Sequence, residues 1–195
     1  MGEKKVLAIL GSPHKAGATA SMLDYTCKEA MLHGWHVDRI NLYEKQIAFC
    51  SGCRSCLRTK KCVLDDGITE IARLLKHCDV VILAAPTYWA NVPAVVKNMF
   101  DRLLGVAMEE TKTFPKPRLS PKQRYILLTA CNTPFPFSSL CGQSSGAVHA
   151  MREFFKTAGM KCSGKFVFSG AAGRSELPGS LKRKLEKCWA KTGAE

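Results

Sequence analysis

Short apolar runs alternate with amphipathic stretches along the whole chain. The runs Lys5–Leu10 and Asp79–Ala84 are almost continuously apolar, as strands buried on both faces are. The pattern predicts strands over residues 5–10, 35–42, 79–84, 125–129 and 165–168, and helices over 18–33, 67–77, 93–104, 142–158 and 179–191. This alternation predicts a single α/β domain over residues 1–195. Its core is a doubly wound five-stranded parallel sheet of order 2-1-3-4-5, covered by helices on both faces.

Two long segments interrupt the alternation. Residues 43–62 hold a cluster of cysteines, and residues 105–121 contain three prolines and read as an inserted surface loop. Long loops in compact domains are usually functional. We therefore expect both segments to contact a second subunit.

Composition bounds the setting in which the chain works. It has 195 residues, of which 46% are hydrophobic, enough for a sizeable core. No apolar run approaches the roughly 20 residues that span a bilayer. The first apolar stretch stops at Gly11, in a turn with no small-residue cleavage site. We expect a cytoplasmic protein that neither crosses a membrane nor carries a signal peptide.

Charge is unevenly distributed. Residues 112–195 hold 15 of the 29 basic side chains but only 4 of the 16 acidic ones, in a chain of net charge +13. Such an excess either forms a solvated surface or attracts an acidic partner. No nucleic-acid motif accompanies it and aromatic residues are not interleaved with it, so we expect no nucleic-acid binding.

The segment from Gly11 to Thr19 connects the first strand to the first helix. A helix N-terminus offers free N–H groups and a positive dipole end to a phosphate. Ser12, Thr19 and Ser21 add hydroxyl groups, and His14 and Lys15 add positive charge. The segment lacks both G-x-x-x-x-G-K-[ST] and G-x-G-x-x-G. It therefore favours a terminal monophosphate, as in FMN, over an NTP or a dinucleotide, with an ordinary strand-to-helix turn as the alternative.

Two adjacent aromatic residues follow the third strand. Tyr88 and Trp89 lie in the segment from Pro86 to Pro93, at the edge of the sheet where the carboxyl ends of the strands meet. They suit contact with a planar ring such as isoalloxazine. The alternative is that they pack into a core or a subunit interface.

Four of the ten cysteines form the pattern C-x2-C-x2-C-x5-C. A disulfide scaffold is not expected, because such scaffolds are mostly small and secreted, and the other six cysteines suit buried positions. The tight run resembles the core of [4Fe–4S] motifs more than the separated pairs of a zinc site, although Val63 stands where a ferredoxin has proline. Free or redox-active thiols and zinc remain alternatives. The predicted metal ligands are Cys50, Cys53, Cys56 and Cys62.

These motifs together resemble the NADPH-dependent FMN reductase and iron–sulfur flavoprotein branch of the flavodoxin-like superfamily. The resemblance covers residues 5–102. Three segments carry it: the glycine–serine loop 11–19, the cysteine run 50–62, and the stretch from Asp79 through Trp89 with the following helix to Arg102.

The resemblance implies FMN as cofactor and, through the iron–sulfur flavoprotein branch, a [4Fe–4S] cluster. One departure is Ala18, where the family usually has asparagine, so one side-chain contact to phosphate or ribityl is missing. A homodimer or homotetramer is also implied. The expected FMN contacts are Ser12, His14, Gly17, Ala18, Thr19, Pro86, Thr87, Tyr88, Trp89, Ala90, Asn91, Thr129, Ala130 and Cys131.

The implied function is an FMN-dependent oxidoreductase. It would pass electrons from NAD(P)H or a ferredoxin-like donor to a small-molecule or protein acceptor, with the flavin and not a side chain doing the chemistry. One alternative is a non-enzymatic flavin electron carrier that docks an acidic ferredoxin. Another is a metal-binding module whose flavin site no longer works.

Overall fold

The computed structural model describes residues 3–194. The strands are β1 (Lys5–Leu10), β2 (His36–Asn41), β3 (Val80–Pro86), β4 (Met108–Glu109), β5 (Lys116–Pro117), β6 (Arg124–Cys131) and β7 (Lys161–Ser169). The helices are α1 (Ala18–Leu32), α2 (Ser55–Thr59), α3 (Gly67–His77), α4 (Ala94–Arg102), α5 (Leu104–Ala107), α6 (Phe137–Leu140), α7 (Gln143–Thr157) and α8 (Gly179–Ala194), with a 3-10 turn at Leu42–Glu44.

Five of these strands form one parallel sheet in the order β2-β1-β3-β6-β7. The short strands β4 and β5 pair with each other as a separate antiparallel hairpin. When that hairpin is left out of the numbering, the observed order is the predicted 2-1-3-4-5. The flavodoxin-like fold is therefore confirmed.

The sheet has an apolar layer on each face, because successive side chains of a strand point to opposite sides. In β1, Leu7 and Ile9 belong to the layer that α3, α4, α5 and α7 cover. Ala8 and Leu10 belong to the layer that α1 and α8 cover. All four are fully or almost fully buried, which explains the continuous apolar runs in the sequence.

Three segments differ from the sequence prediction. Strand β7 begins at Lys161 and not at residue 165, and its register against β6 shifts between Tyr125 and Ile126. The predicted loop 105–121 contains helix α5 and the β4–β5 hairpin, and its first residues are buried. The cysteine segment contains the short helix α2. Each difference arises where contacts distant in sequence stabilise a stretch that has little apolar periodicity of its own.

Within residues 3–194, no helix combines the length and the apolar character needed to cross a bilayer.

Candidate functional site

A cavity of about 710 Å³ lies at the carboxyl ends of the parallel strands. The loops after β1, β3, β6 and β7 surround it. Twelve of the fourteen predicted FMN contacts line it: Ser12, His14, Gly17, Ala18, Thr19, Pro86, Thr87, Tyr88, Trp89, Ala90, Ala130 and Cys131. The topology thus brings together two segments that the sequence separates by about 70 residues.

The loop after β1 presents backbone donors to the cavity. The hydroxyl of Ser12 is buried and accepts a hydrogen bond from the His14 N–H at 3.2 Å. Helix α1 begins after Gly17, which provides no side-chain cap, and no acidic residue occupies its first turn. By contrast, the N-terminus of α3 is capped by Asp66, whose carboxylate accepts from the Ile68 N–H at 3.0 Å. The first-turn N–H groups of α1 are thus available to an anion.

Lys15 does not contribute its charge to this cavity. Its ammonium group pairs with the Glu44 carboxylate at 2.5 Å, and the residue is absent from the lining. The hydrogen bond and charge of Lys15 also lower the pKa of Glu44 below its ordinary value. The positive charge expected from Lys15 is therefore directed to Glu44.

The aromatic loop after β3 is a tight two-residue turn. The Tyr88 N–H donates to the Asn91 carbonyl at 2.8 Å, and the Asn91 N–H donates to the Tyr88 carbonyl at 2.9 Å. Between them, Trp89 and Ala90 have φ values of 52° and 56°. Such values are uncommon and costly for residues with a side chain, and strained residues of this kind cluster at functional sites. The turn leaves the Trp89 side chain fully exposed at the mouth of the cavity.

Helix α7 packs directly against this turn. Gly146 packs so closely on the Ala90 carbonyl that a Cβ atom at position 146 would collide with its oxygen. The position of the turn is thus set by a glycine far along the chain.

Two predicted contacts, Asn91 and Thr129, do not line the cavity. The Asn91 side-chain oxygen accepts from the Val92 N–H at 2.8 Å, which fixes the end of the turn. The Thr129 side chain is fully buried, and its hydroxyl bonds that of Thr87 at 3.2 Å. Neither residue lines the cavity itself, but each forms a hydrogen bond that fixes the backbone or a side chain next to it.

The cavity also includes residues that the sequence pattern does not indicate. Gln143 lies at the start of α7, and its side-chain oxygen accepts from the Thr133 hydroxyl and from the Cys131 thiol. The side-chain amide N–H groups of Gln143 can therefore donate to a ligand. The loop after β7 supplies a fourth wall, which the topology predicts because every parallel strand ends at this edge. The additional lining residues are Ala16, Asn132, Thr133, Gln143, Ala171, Ala172, Gly173, Arg174 and Ser175.

The four predicted metal ligands lie outside this cavity, on the segment between β2 and α3. Cys50 and Cys53 are exposed, and Cys56 and Cys62 are half-buried. All ten cysteines of the chain are free thiols. Among residues 3–194, no three His, Cys, Asp or Glu side chains are grouped so that they could hold a metal ion. As arranged in this structure, the four thiols do not fit a metal cluster.

A buried arginine of α4, Arg102, bonds the backbone on both sides of the four cysteines. Arg102 donates from Nη1 to the Ala48 carbonyl at 2.5 Å and from Nη2 to the Leu64 carbonyl at 3.1 Å. The same two nitrogens bond the two carboxylate oxygens of Asp66, at 2.9 and 3.1 Å. Nε donates to the Cys62 thiol at 3.2 Å. All five N–H donors of the guanidinium group are thus satisfied in a side chain with no solvent exposure.

These bonds change the acidity of Asp66. Partial burial acts to raise the pKa of the carboxyl group, but hydrogen bonds from Arg102 and from the Ile68 and Ala48 amides outweigh it. The pKa of Asp66 therefore lies below its ordinary value. The carboxylate stays charged, as a buried arginine requires.

The middle of the segment is held by a second arginine and a glycine. Arg118 donates to the carbonyls of Leu57 and Gly105, each at 2.7 Å. Gly105 lies directly against the Cys56 backbone, where a Cβ atom would collide. The stretch around Cys56 and Leu57 is therefore fixed to α5 and to the residue that follows β5, whereas Cys50 and Cys53 are exposed.

The model of the family described as NADPH-dependent FMN reductase matches residues 4–172. The chain belongs to this family. The match covers all four loops that form the cavity walls, apart from the last residues of the loop after β7.

Within the NADPH-dependent FMN reductase family, the chain is similar to curated iron–sulfur flavoproteins. It is 42% identical over 100 residues to one from Archaeoglobus fulgidus, covering 51% of this chain and 46% of that protein. It is 33% identical over 98 residues to one from Methanosarcina thermophila, covering 50% of this chain and 51% of that protein. The chain thus spans about half the length of these relatives.

Solved structures of azoreductases share the fold of this family member. An azoreductase from Bacillus anthracis superimposes with a TM-score of 0.74 at 14% identity, over 98% of this chain and 100% of that one. An FMN-dependent NADH-azoreductase from the same species, in complex with FMN, gives a TM-score of 0.68 at 14% identity, over 98% of each chain. At these identities the likeness shows the fold alone.

Proposed function

We propose that this chain binds FMN in the cavity at the strand ends and is an oxidoreductase that takes electrons from NAD(P)H. The observation that carries the proposal is that one cavity joins an uncapped helix N-terminus to a strained aromatic turn. Membership of the NADPH-dependent FMN reductase family supports it, as does the fold shared with an azoreductase in complex with FMN.

The phosphate end of the ligand belongs at the start of α1. Ser12 and the first two residues of α1, Ala18 and Thr19, all line the cavity. The Ser12 and Thr19 side chains are buried, so their hydroxyl groups have little access to bulk water. A phosphate there would accept hydrogen bonds from the first-turn amides of α1, which no side chain caps.

The ring end belongs against the turn from Tyr88 to Asn91. The turn presents its backbone and the Tyr88 and Trp89 side chains, and Gln143, at the start of α7, presents amide N–H donors to the same cavity. Bound FMN would supply the hydride and electron chemistry. The protein's part is to orient the ring and to limit the access of water to one of its faces.

The phosphate assignment is tested by removing one hydroxyl at a time. We expect Ser12→Ala and Thr19→Val each to weaken FMN binding by roughly tenfold or more, because each loses a hydrogen bond to a charged group worth about 1.5–3 kcal/mol. The measurement is titration of apoprotein by quenching of flavin fluorescence. Ser21→Ala is the control, since Ser21 lies on the same helix but outside the lining. Unchanged affinity in both test variants would contradict the assignment.

The proposal extends to the electron donor and the electron acceptor of the enzyme. A structural neighbour is named as an NAD(P)H:quinone oxidoreductase from Methanothermobacter marburgensis, which supports NAD(P)H as donor and a quinone-like small molecule as acceptor. The basic C-terminal half favours an acidic carrier such as a ferredoxin as the alternative donor. Fast flavin reduction by ferredoxin with slow turnover of NADPH would favour the electron-carrier function.

We further propose that the cysteine segment binds a [4Fe–4S] cluster. Two findings support this: the C-x2-C-x2-C-x5-C spacing, and the similarity to relatives named as iron–sulfur flavoproteins. The four thiols are not grouped as metal ligands in the structure. Because Cys56 packs against Gly105 and Cys62 bonds Arg102, cluster binding requires the exposed Cys50 and Cys53 to move toward them.

The cluster is tested by anaerobic expression with iron and sulfide supplied, followed by metal analysis. We expect about four irons per chain, and loss of them in Cys53→Ser. Cys141→Ser is the matched control, because Cys141 is also exposed but lies outside the segment. Yellow protein without iron under these conditions would refute the cluster and leave the flavin assignment standing.

A further inference from the structure

Helices α1 and α8 lie side by side on one face of the sheet. Each returns along the sheet after a parallel strand, so the two helices run in the same direction. The Tyr25 hydroxyl of α1 donates to the Glu186 carboxylate of α8 at 2.5 Å. Both residues lie seven positions beyond the first residue of their helix, Ala18 and Gly179. The two helices therefore begin at the same position along their common direction.

This alignment brings the loop before α8 beside the loop before α1. Arg174 lies in that loop and lines the same cavity as Ser12 and Thr19. Its guanidinium group lies over the Phe168 ring, 5.4 Å from the centroid. Phe168 is buried in the apolar layer under α1 and α8, so Arg174 enters the cavity from the α1 face of the sheet.

The aromatic turn lies toward the other face. Its Ala90 carbonyl packs on Gly146 of α7, and α7 covers the opposite apolar layer. The cavity thus has a phosphate end beside α1 and a ring end beside α7. Arg174 belongs to the phosphate end.

Charge makes this position significant. A phosphomonoester carries close to two negative charges, and Lys15 is already paired with Glu44. Among the described residues that line the cavity, Arg174 alone has a permanent positive charge. None of the ion pairs formed within residues 3–194 involves Arg174.

We infer that Arg174 binds the terminal phosphate of FMN and makes the site selective for FMN over riboflavin. This inference rests on the proposed function. An arginine suits the role because its planar fork matches phosphate oxygens in pairs. The backbone fixes the loop for this purpose: the Arg174 N–H donates to the Ala171 carbonyl at 3.0 Å, and Gly173 adopts a φ of 64°.

The experiment compares two ligands that differ only in the phosphate. Apoprotein is titrated with FMN and with riboflavin for wild type, Arg174→Gln, Arg174→Lys and the control Arg73→Gln. Arg73 is exposed on α3 and is not part of the cavity, so its substitution removes the same charge elsewhere. We expect Arg174→Gln to weaken FMN binding at least about tenfold while riboflavin affinity changes less than about twofold. The lysine variant is expected to recover part of the loss.

Other outcomes separate the alternatives. An equal loss for both flavins would place Arg174 at the ring and overturn the inference. Unchanged FMN affinity with a raised KM for NADPH but not for NADH would assign Arg174 to the nicotinamide cofactor's extra phosphate, which also overturns it. Absence of FMN binding by the wild type would instead refute the proposed function. Circular dichroism of the variants confirms that the exposed loop position has not affected folding.

Discussion

Replacing Gly146 with alanine is expected to weaken FMN binding roughly ten- to hundredfold without unfolding the protein. The added methyl group would collide with the Ala90 carbonyl, so the turn from Tyr88 to Asn91 must move. Overpacking of this kind costs about 1–3 kcal/mol, and here the displaced element is the ring-binding turn. Alanine is also a better helix former than glycine by up to about 1 kcal/mol, so α7 itself gains stability.

The measurement is FMN titration of the apoprotein, together with thermal unfolding in the absence of flavin. Ser145→Ala is the control, since Ser145 is the exposed neighbour of Gly146 on the same helix. A Gly146→Ala variant that binds FMN as tightly as wild type would show that the turn is not part of the flavin site.

Loss of Arg102 is expected to have the largest effect on stability. Arg102→Met keeps the length of the side chain but removes five hydrogen bonds and leaves the Asp66 carboxylate without its partner. Breaking a buried ion pair in this way costs about 3–5 kcal/mol. Urea denaturation at neutral pH measures the change. Arg73→Met, an exposed arginine on α3, is expected to change stability by less than about 0.5 kcal/mol.

The same variant is expected to change how stability depends on pH. Because the pKa of Asp66 is lowered in the folded state, its stabilising contribution is complete above the ordinary aspartate pKa of about 3.9 and is lost as the pH falls through the lower folded value. In the wild type, this contribution to the free energy of unfolding should therefore decrease as the pH falls below about 4. Arg102→Met should lose much less over that interval. Equal acid sensitivity of the two proteins would argue against the Arg102–Asp66 pair as its source.

Periodicity predicted the sheet well because its strands are buried on both faces. The continuous runs at β1 and β3 leave no other secondary structure compatible with their length and neighbours. Strand β7 was predicted too short because Cys162, Ser163 and Gly164 show no apolar alternation. The pairing of these residues with β6 is what makes them a strand.

The sequence predicts a residue of the candidate site when the segment that contains the residue is enough to place it there. Ser12, Thr19 and Tyr88 lie where their local segments indicate. Arg174 and Gly146 were missed because their roles depend on elements far apart in sequence, the α1–α8 alignment and the contact of α7 with the turn. Lys15 shows the converse, since nothing local indicates its pairing with Glu44.

The support of the cysteine segment from outside has an evolutionary consequence. The segment between β2 and α3 contributes Leu42, Ile47 and Cys62 to the packing of the apolar layers, and the arginines that anchor it, Arg102 and Arg118, lie elsewhere in the chain. The FMN cavity takes none of its walls from this segment. A lineage can therefore gain or lose the four cysteines by substitutions that do not alter the flavin cavity.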